Sequence, residues 1–269
     1  MIGKMGRIGR MGMGGNGGGG ESLDPATLAY IGRVTGAGST IVDISSINAD
    51  IVMLKSLSTW DSVIAYHTCL GGITLDGNKI TKLWSVKGTH DLTQANGANQ
   101  PTLNGDIGGK TAMVFSGSQY IGGGDAQNNA NGHMLIIYKK TNTTREAMCS
   151  GYIQPASVQN SANVALTGLV TGANGCADPS TGSGIRMVSI RRAGTNTYAF
   201  RRNGQNVSSA SSGDWRAATK LYIGANDNGG IITLPLNGEI AMVLALNANI
   251  ADATLSLMEN HFNSKYQVY

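Results

Sequence analysis

Hydrolytic chemistry most often rests on paired carboxylates, and this chain of 269 residues has few acids: 12 Asp and four Glu, the latter Glu21, Glu146, Glu239 and Glu259. The glutamates stand 125, 93 and 20 positions apart. No two of them can share one face of one strand, where alternation brings acids to the separation of about 5 Å used by retaining glycosidases. A nucleophilic triad needs Ser or Cys with a His and an acid. The histidines are His67, His90, His133 and His261. His90 and Asp91 are adjacent, and neighbours on a strand point to opposite faces. In Tyr66-His67-Thr68-Cys69 the His and Cys share a face if the segment is extended, but two ligands make no zinc site. The three cysteines, Cys69, Cys149 and Cys176, form neither a disulfide framework nor a zinc pattern, so they read as buried or idle thiols of a protein folded in a reducing cytoplasm. The glycines at 14–20 neither follow a strand nor open a helix, which excludes a phosphate loop. The expectation is no catalytic residue, no metal, no cofactor and no enzyme.

Polar recognition is better represented. Asp125-Ala-Gln-Asn128-Asn129, Ser212-Gly-Asp214-Trp215 and Asn226-Asp227-Asn228 offer acids, amides and one aromatic ring. Such residues can hold a glycan or an ion, and the same residues make turns. The net charge of +4 carries little information about nucleic acid, because Lys4, Arg7 and Arg10 supply three of those charges and the rest of the chain is near +1. Arg186, Arg191, Arg192, Arg201 and Arg202 read as a solvated strand face. Only 13% of residues are charged, against about a quarter in ordinary domains, while 41% are hydrophobic. No apolar run approaches the roughly 18 residues that span a membrane, and no continuous apolar leader is visible.

Three parts position these groups. Residues 1–22 contain ten Gly and four Met in the first 20 positions. Gly orders at high entropic cost, so this stretch takes up a structure only when neighbours surround it. It reads as an assembly arm in which Met1, Ile2, Met5, Ile8, Met11 and Met13 fill irregular gaps between subunits and Lys4, Arg7 and Arg10 add charge. A closed homo-oligomer, three-fold for a fibre, suits it. Residues 23–70 form a small helical unit. Asp24-Pro25 starts a first helix with Leu28, Ile31 and Val34 on one face, stopped at Gly36-Ala37-Gly38. A second runs from about Ser46 to Leu57, with Ile47, Ile51, Leu54 and Leu57 aligned. Two such helices cannot bury a core alone and must pack on the domain C-terminal to them. Residues 71–269 read as mainly β. Short apolar runs alternate with turn signals such as Asp76-Gly77, Asn203-Gly204 and Asn237-Gly238, which suggests a two-sheet sandwich or jelly roll. The final segment from Asp252 is helical, with Leu255, Met258 and Phe262 on one face.

Several of these segments together resemble the concanavalin-A-like lectin and laminin-G sandwiches. They are Trp84, Asp91-Leu92-Thr93-Gln94, Asn99-Gln100-Pro101-Thr102, Phe115-Ser-Gly-Ser-Gln-Tyr120, Asn203-Gly204, Leu221-Tyr222-Ile223-Gly224, Leu236-Asn237-Gly238-Glu239-Ile240-Ala241 and the closing Lys265-Tyr266. The match covers residues 84–268. It departs from that family at Met242, where an acid usually follows the Ile-Ala. A glycosidase of that fold would resemble the laminarinase type, with Glu-x-Asp-x-x-Glu on one strand, and no such stretch occurs. Asp24, Tyr30-Ile31, Val34, Gly36, Ile51, Leu54-Lys55 and Trp60 are similar to a leader that precedes such sandwiches in tailed-bacteriophage proteins. The resemblance implies a concanavalin-A-like jelly roll preceded by a helical unit and a Gly-rich arm. It implies a structural virion protein, such as a fibre, collar, tail or capsid-decoration subunit, made in the host bacterial cytoplasm. Its partners would be other virion proteins. The alternative is a receptor-adhesion module for host surface glycan, and a polysaccharide depolymerase is the third class. Rim loops of such sandwiches also bind sugars or calcium.

Overall fold

A computed structural model describes residues 22–88, 90–125, 132–141, 146–150, 157–161, 164–167, 184–192, 197–211, 220–228, 231–233 and 235–269. The arm residues Met1 to Met13 lie outside these. The first helix, α1 (Pro25–Gly36), begins where the Asp24 carboxylate accepts the Ala26 N–H at 2.8 Å. The second, α2 (Ile44–Ser56), is capped by Asp43, which accepts the Ser46 N–H at 3.0 Å. It therefore starts two residues before the expected Ser46, because the capping oxygen belongs to Asp43. Ile47, Ile51 and Leu54 are fully buried. On α1 the buried face is Thr27, Tyr30 and Val34, while Leu28 is 55% exposed. Polar anchors decide this rotation. The Tyr30 hydroxyl accepts the Gly72 N–H at 2.5 Å, and the Thr27 hydroxyl donates to Asn48 Oδ1 at 2.9 Å.

The strands are β1 (Thr40–Ile41), β2 (Val63–Thr68), β3 (Gly72–Asp76), β4 (Lys79–Leu83), β5 (Leu92–Thr93), β6 (Thr102–Ile107), β7 (Lys110–Ser116), β8 (Ile121–Asp125), β9 (Gly132–Lys140), β10 (Glu146–Ser150), β11 (Ser157–Ser161), β12 (Val164–Thr167), β13 (Gly184–Arg192), β14 (Thr197–Arg202), β15 (Gln205–Ser211), β16 (Lys220–Ile223), β17 (Asn226–Asn228), β18 (Ile231–Thr233) and β19 (Asn237–Leu246). A last helix, α3 (Asp252–Tyr266), closes the chain. The fold is a mainly antiparallel β-sandwich preceded by a helical unit. One layer runs β2-β19-β9-β13-β14-β15. The other runs β1-β3-β4-β5-β8-β16-β10-β11-β12. β7 pairs with the first half of β19, and β6 joins β7 to Lys79 of β4.

Two cores result. Between the layers, Met134, Ile136 and Tyr138 of β9, Val188 and Ile190 of β13 and Val243 of β19 meet Ile80, Leu83, Leu92, Ile121 and Ile223. On the other side of the first layer, Leu135, Ile137, Met187 and Leu244 pack against Val34, Ile51 and Leu54 of the first two helices and Leu255, Met258 and Phe262 of α3. Strands β9 and β19 are thus covered on both faces. That is why 133–138 and 240–246 are unbroken runs of buried residues and not alternating ones.

Gly224 shows why two of the sequence motifs come together. Its φ is +84°, and a Cβ there would run into the Phe115 ring. Only glycine combines that backbone with that approach.

The helical cover is fixed by two charged knots. Asp50 of α2 is fully buried. It accepts from the Tyr66 hydroxyl at 2.5 Å, from His261 Nε2 at 2.7 Å and from the Lys265 ammonium, so α2, β2 and α3 converge on one carboxylate. Burial, and then the Asp50 charge, push the Tyr66 hydroxyl well above its ordinary pKa, so it remains a donor. At α1, Asp91 takes Arg33 Nη1 at 2.8 Å, Lys82 Nζ at 3.2 Å and the Ser85 N–H at 3.0 Å. Burial opposes the Asp91 charge, but these donors outweigh it and its pKa is lowered. The Lys82 ammonium also sits 3.4 Å from the Trp84 ring centroid.

Asp50→Ala leaves the Lys265 ammonium buried without its carboxylate and should cost about 3–5 kcal/mol. Phe262→Ala opens the helix-covered core and should cost a similar ~3–5 kcal/mol. Asn260→Ala, on the exposed side of α3, should change stability by less than about 0.5 kcal/mol. Denaturant unfolding of the full chain measures all three. An unchanged midpoint in the Phe262 variant would mean that α3 is not part of the core.

Candidate functional site

The outward row of β13 starts apolar with Ile185 and Met187 and turns polar at Ser189 and Arg191. Register carries the change across the layer. Arg191 lies opposite His133 of β9 and Ala199 of β14, Ser189 lies opposite Arg201, and Arg201 lies opposite Asn206 of β15. The Asn203-Gly204 turn between β14 and β15 has positive φ at both residues, the backbone of a tight type I′ hairpin, which sets this register. α3 starts over the same place. His133, Ser189, Arg191, Ala199, Arg201, Asn206, Asp252 and Leu255 therefore line one cleft with about 190 Å³ of open space, its mouth included.

The cleft's donors fall into two groups. Arg201 is committed: Nε and Nη2 reach the two Glu259 oxygens at 3.2 and 2.8 Å, and Nη2 also reaches Gly204 O at 2.8 Å. The Glu259 side chain of this pair is 2% exposed and that of Arg201 12%. Arg191 Nη1 meets Asp252 Oδ1 at 2.6 Å at the mouth, where the Asp252 side chain is 60% exposed. His133 is fully buried and Ser189 is 2% exposed, and neither ring nitrogen of His133 nor the Ser189 hydroxyl has a protein partner. A buried polar group left unmet costs about 1–3 kcal/mol, so these atoms mark a place built for polar contact. Burial first, then Arg191 and Arg201, lower the His133 pKa to about 3. The ring is neutral at physiological pH, with one donor nitrogen and one acceptor nitrogen.

Other sequence candidates lie elsewhere. Asp125 ends β8 on the surface and pairs with Lys220 at 2.8 Å. Asn226, Asp227 and Asn228 form β17, which pairs with β18 beyond the opposite end of β16. Asn128, Asn129, Asp214 and Trp215 lie outside the described residues, as does Cys176. Glu239 is held by Lys139 at 2.9 Å and by the Asp106 N–H at 2.9 Å, at the far end of β19 from the cleft. Cys69 and Cys149 are buried thiols. His67 is buried with Nε2 2.7 Å from His90 O. Among the described residues no three His, Cys, Asp or Glu side chains gather as metal ligands, and no helix is long and apolar enough to cross a membrane.

Sequence reasoning missed the cleft. It read the arginines as a solvated face, yet Arg186 is buried and Arg201 is locked beneath α3. The available signal was the seven-residue spacing of Asp252 and Glu259, which puts two acids on one helix face opposite Arg191 and Arg201.

The two buried histidines set an acid limit on stability. Burial holds His67 at about 4 and His133 at about 3, below the unfolded value near 6.5. The unfolded chain binds these protons first, so stability present above about pH 6.5 is lost as pH falls toward 4 and 3. Between pH 6 and 4.5 the slope should approach about 1.4 kcal/mol per pH unit for each histidine. The lowered carboxylates Asp43 and Asp91 add their loss only further down, below their unfolded value of about 3.8. Chemical denaturation across this range should show the slope in the parent chain, and a His67→Gln/His133→Gln variant should lose most of it.

No protein-family model matches this chain, and no curated protein matches it. Solved structures do. A Trypanosoma rangeli sialidase in complex with sialic acid aligns over 76% of this chain and 33% of its own, at 11% identity and a TM-score of 0.50. A mutant GH54 α-L-arabinofuranosidase soaked with 4-nitrophenyl α-L-arabinofuranoside aligns over 81% of this chain and 65% of its own, at 12% identity and a TM-score of 0.54. The same sialidase in a covalent-intermediate complex with 2,3-difluorosialic acid gives a TM-score of 0.50 at 9% identity. The chain thus spans a third of the first sialidase and just under two thirds of the arabinofuranosidase. At these identities the likeness is one of fold, a lectin-like β-sandwich. It corrects one expectation: structures sharing this fold are glycosidases, which points against reading the chain as a non-enzyme.

Proposed function

We propose that this chain is a carbohydrate-recognising β-sandwich carried on a tailed-phage particle. The observation that carries the first half is the fold shared with a sialidase in complex with sialic acid and an arabinofuranosidase soaked with an arabinofuranoside. The buried polar cleft supports it, because saccharides are bound through hydroxyl and carboxyl groups that need such donors and acceptors. The second half rests on the sequence. Residues 23–70 are similar to the leader of phage sandwich proteins, and residues 1–22 suit an arm that inserts between subunits. In this reading residues 1–70 attach the protein to other virion proteins as a homo-oligomer, a trimer in a fibre. The sandwich of residues 71–269 faces host surface glycan, with Asp125 and Asn226 to Asn228, and the sequence candidates Asn128, Asn129, Asp214 and Trp215, as further polar groups for it.

A second reading is favoured by the same neighbours: the sandwich cleaves the glycan it recognises. A glycan array followed by assay of released sugar on each bound glycan separates the two. Retention without release supports recognition, and release in proportion to enzyme and time supports cleavage. An array on which no glycan is retained, with no release from bacterial polysaccharide, would remove both.

A further inference from the structure

The cleft under α3 has a chemistry more specific than sugar binding at large. Two of its polar side chains are buried, unmet by protein and turned into it: His133 and Ser189. Beside them the Arg191 guanidinium already holds a carboxylate, that of Asp252, at 2.6 Å. The Asp252 side chain is 60% exposed and can turn into water, so the partner is exchangeable. The neighbouring Arg201–Glu259 pair is buried and is not. α3 adds to the field: no side chain caps its first turn, and a helix N-terminus favours negative charge. Burial keeps His133 neutral, and Arg191 and Arg201 add a positive potential at the same spot that Asp252 offsets in part. His133 and Ser189 lie at the buried end of this space, so only a small head group reaches them while a sugar ring stays outside.

We propose that this cleft binds the carboxylate of an acidic saccharide, with the His133 ring N–H, the Ser189 hydroxyl and the Arg191 guanidinium as donors and with Asp252 displaced from Arg191. The saccharide part rests on the proposed function above, and the carboxylate part rests on the cleft. A carboxylate only accepts hydrogen bonds and meets three converging donors, whereas a neutral sugar offers hydroxyls with no charge for Arg191.

The test uses the full chain with methyl β-D-glucuronide, methyl β-D-glucoside and sodium acetate. Titration calorimetry reads affinity, and ring nitrogen shifts of His133 read location. The glucuronide should bind about tenfold or more tighter than the glucoside and shift the His133 ring signals. Ser189→Ala and Arg191→Gln should each weaken it by about tenfold. Asp252→Asn should strengthen it, because it removes the competing carboxylate from Arg191. Melting temperatures check that each variant is folded, and Ser189→Ala and Asp252→Asn remove too little to unfold the chain. Equal binding of glucoside and glucuronide would overturn the carboxylate assignment and leave saccharide recognition standing. So would glycans retained on an array while the glucuronide leaves His133 unmoved. Acetate and glucuronide shifting His133 alike, with no glycan retained, would uphold the carboxylate site and overturn the saccharide reading.

Discussion

The middle of the first layer, strands β19 and β9 with the start of β13, is apolar on both faces, and everything else in the structure answers to that. An ordinary sandwich leaves the outer face of each sheet in water. Here Leu135, Ile137, Met187, Leu244 and Leu246 point away from the sandwich interior and are buried all the same. Exposing such side chains would forfeit about 1.5–3 kcal/mol each. The outer face therefore requires a cover, which α1, α2 and α3 supply. None of these helices has a core of its own. They depend on the sheet as the sheet depends on them, which explains why sequence-distant segments, residues 25–56 and 252–266, meet in one apolar cluster.

Charge fixes the cover where apolar contact alone would let it slide. Asp50 accepts from groups on β2 and α3 while standing on α2, and Asp91 does the same for α1 and β4. A buried pair such as Asp50–Lys265 adds little net stability, but removing one partner is costly, so it selects one arrangement among many, and the half-buried Asp91 cluster adds direction to the docking of α1. The cover also has an end. At β13 the outward row changes from Met187 to Ser189 and Arg191, and α3 begins over that change. The cleft is the place where apolar cover gives way to paired charge, and this is why it holds neutral His133 and two guanidiniums close together.

Much of the fold was legible in the residues. Period-two patterns and turn dipeptides marked a sandwich, and Leu255, Met258 and Phe262 marked the buried face of α3. The phase of α1 was not legible, because Tyr30 and Thr27 bury through hydrogen bonds that a count of apolar residues does not register. The cleft was not legible for a different reason. Its members come from β9, β13, β14, β15 and α3, and only strand register and helix docking bring them together. Arg191 and Arg201 look like surface residues until Asp252 and Glu259 arrive from more than fifty positions away. The sparse glutamates argued against a carboxylate pair on one strand, but spacing along one strand says nothing about acids delivered by a helix.

Native-state hydrogen exchange of the full chain tests the mutual dependence of helices and sheet most directly. The slowest amides of α1 and α2, those of Val34, Ile51 and Leu54, should open with the same free energy and the same denaturant dependence as those of Leu135 in β9 and Leu244 in β19, because neither layer is stable uncovered. Helix amides that exchange through a separate opening of much lower free energy, with the sheet amides still protected, would contradict it.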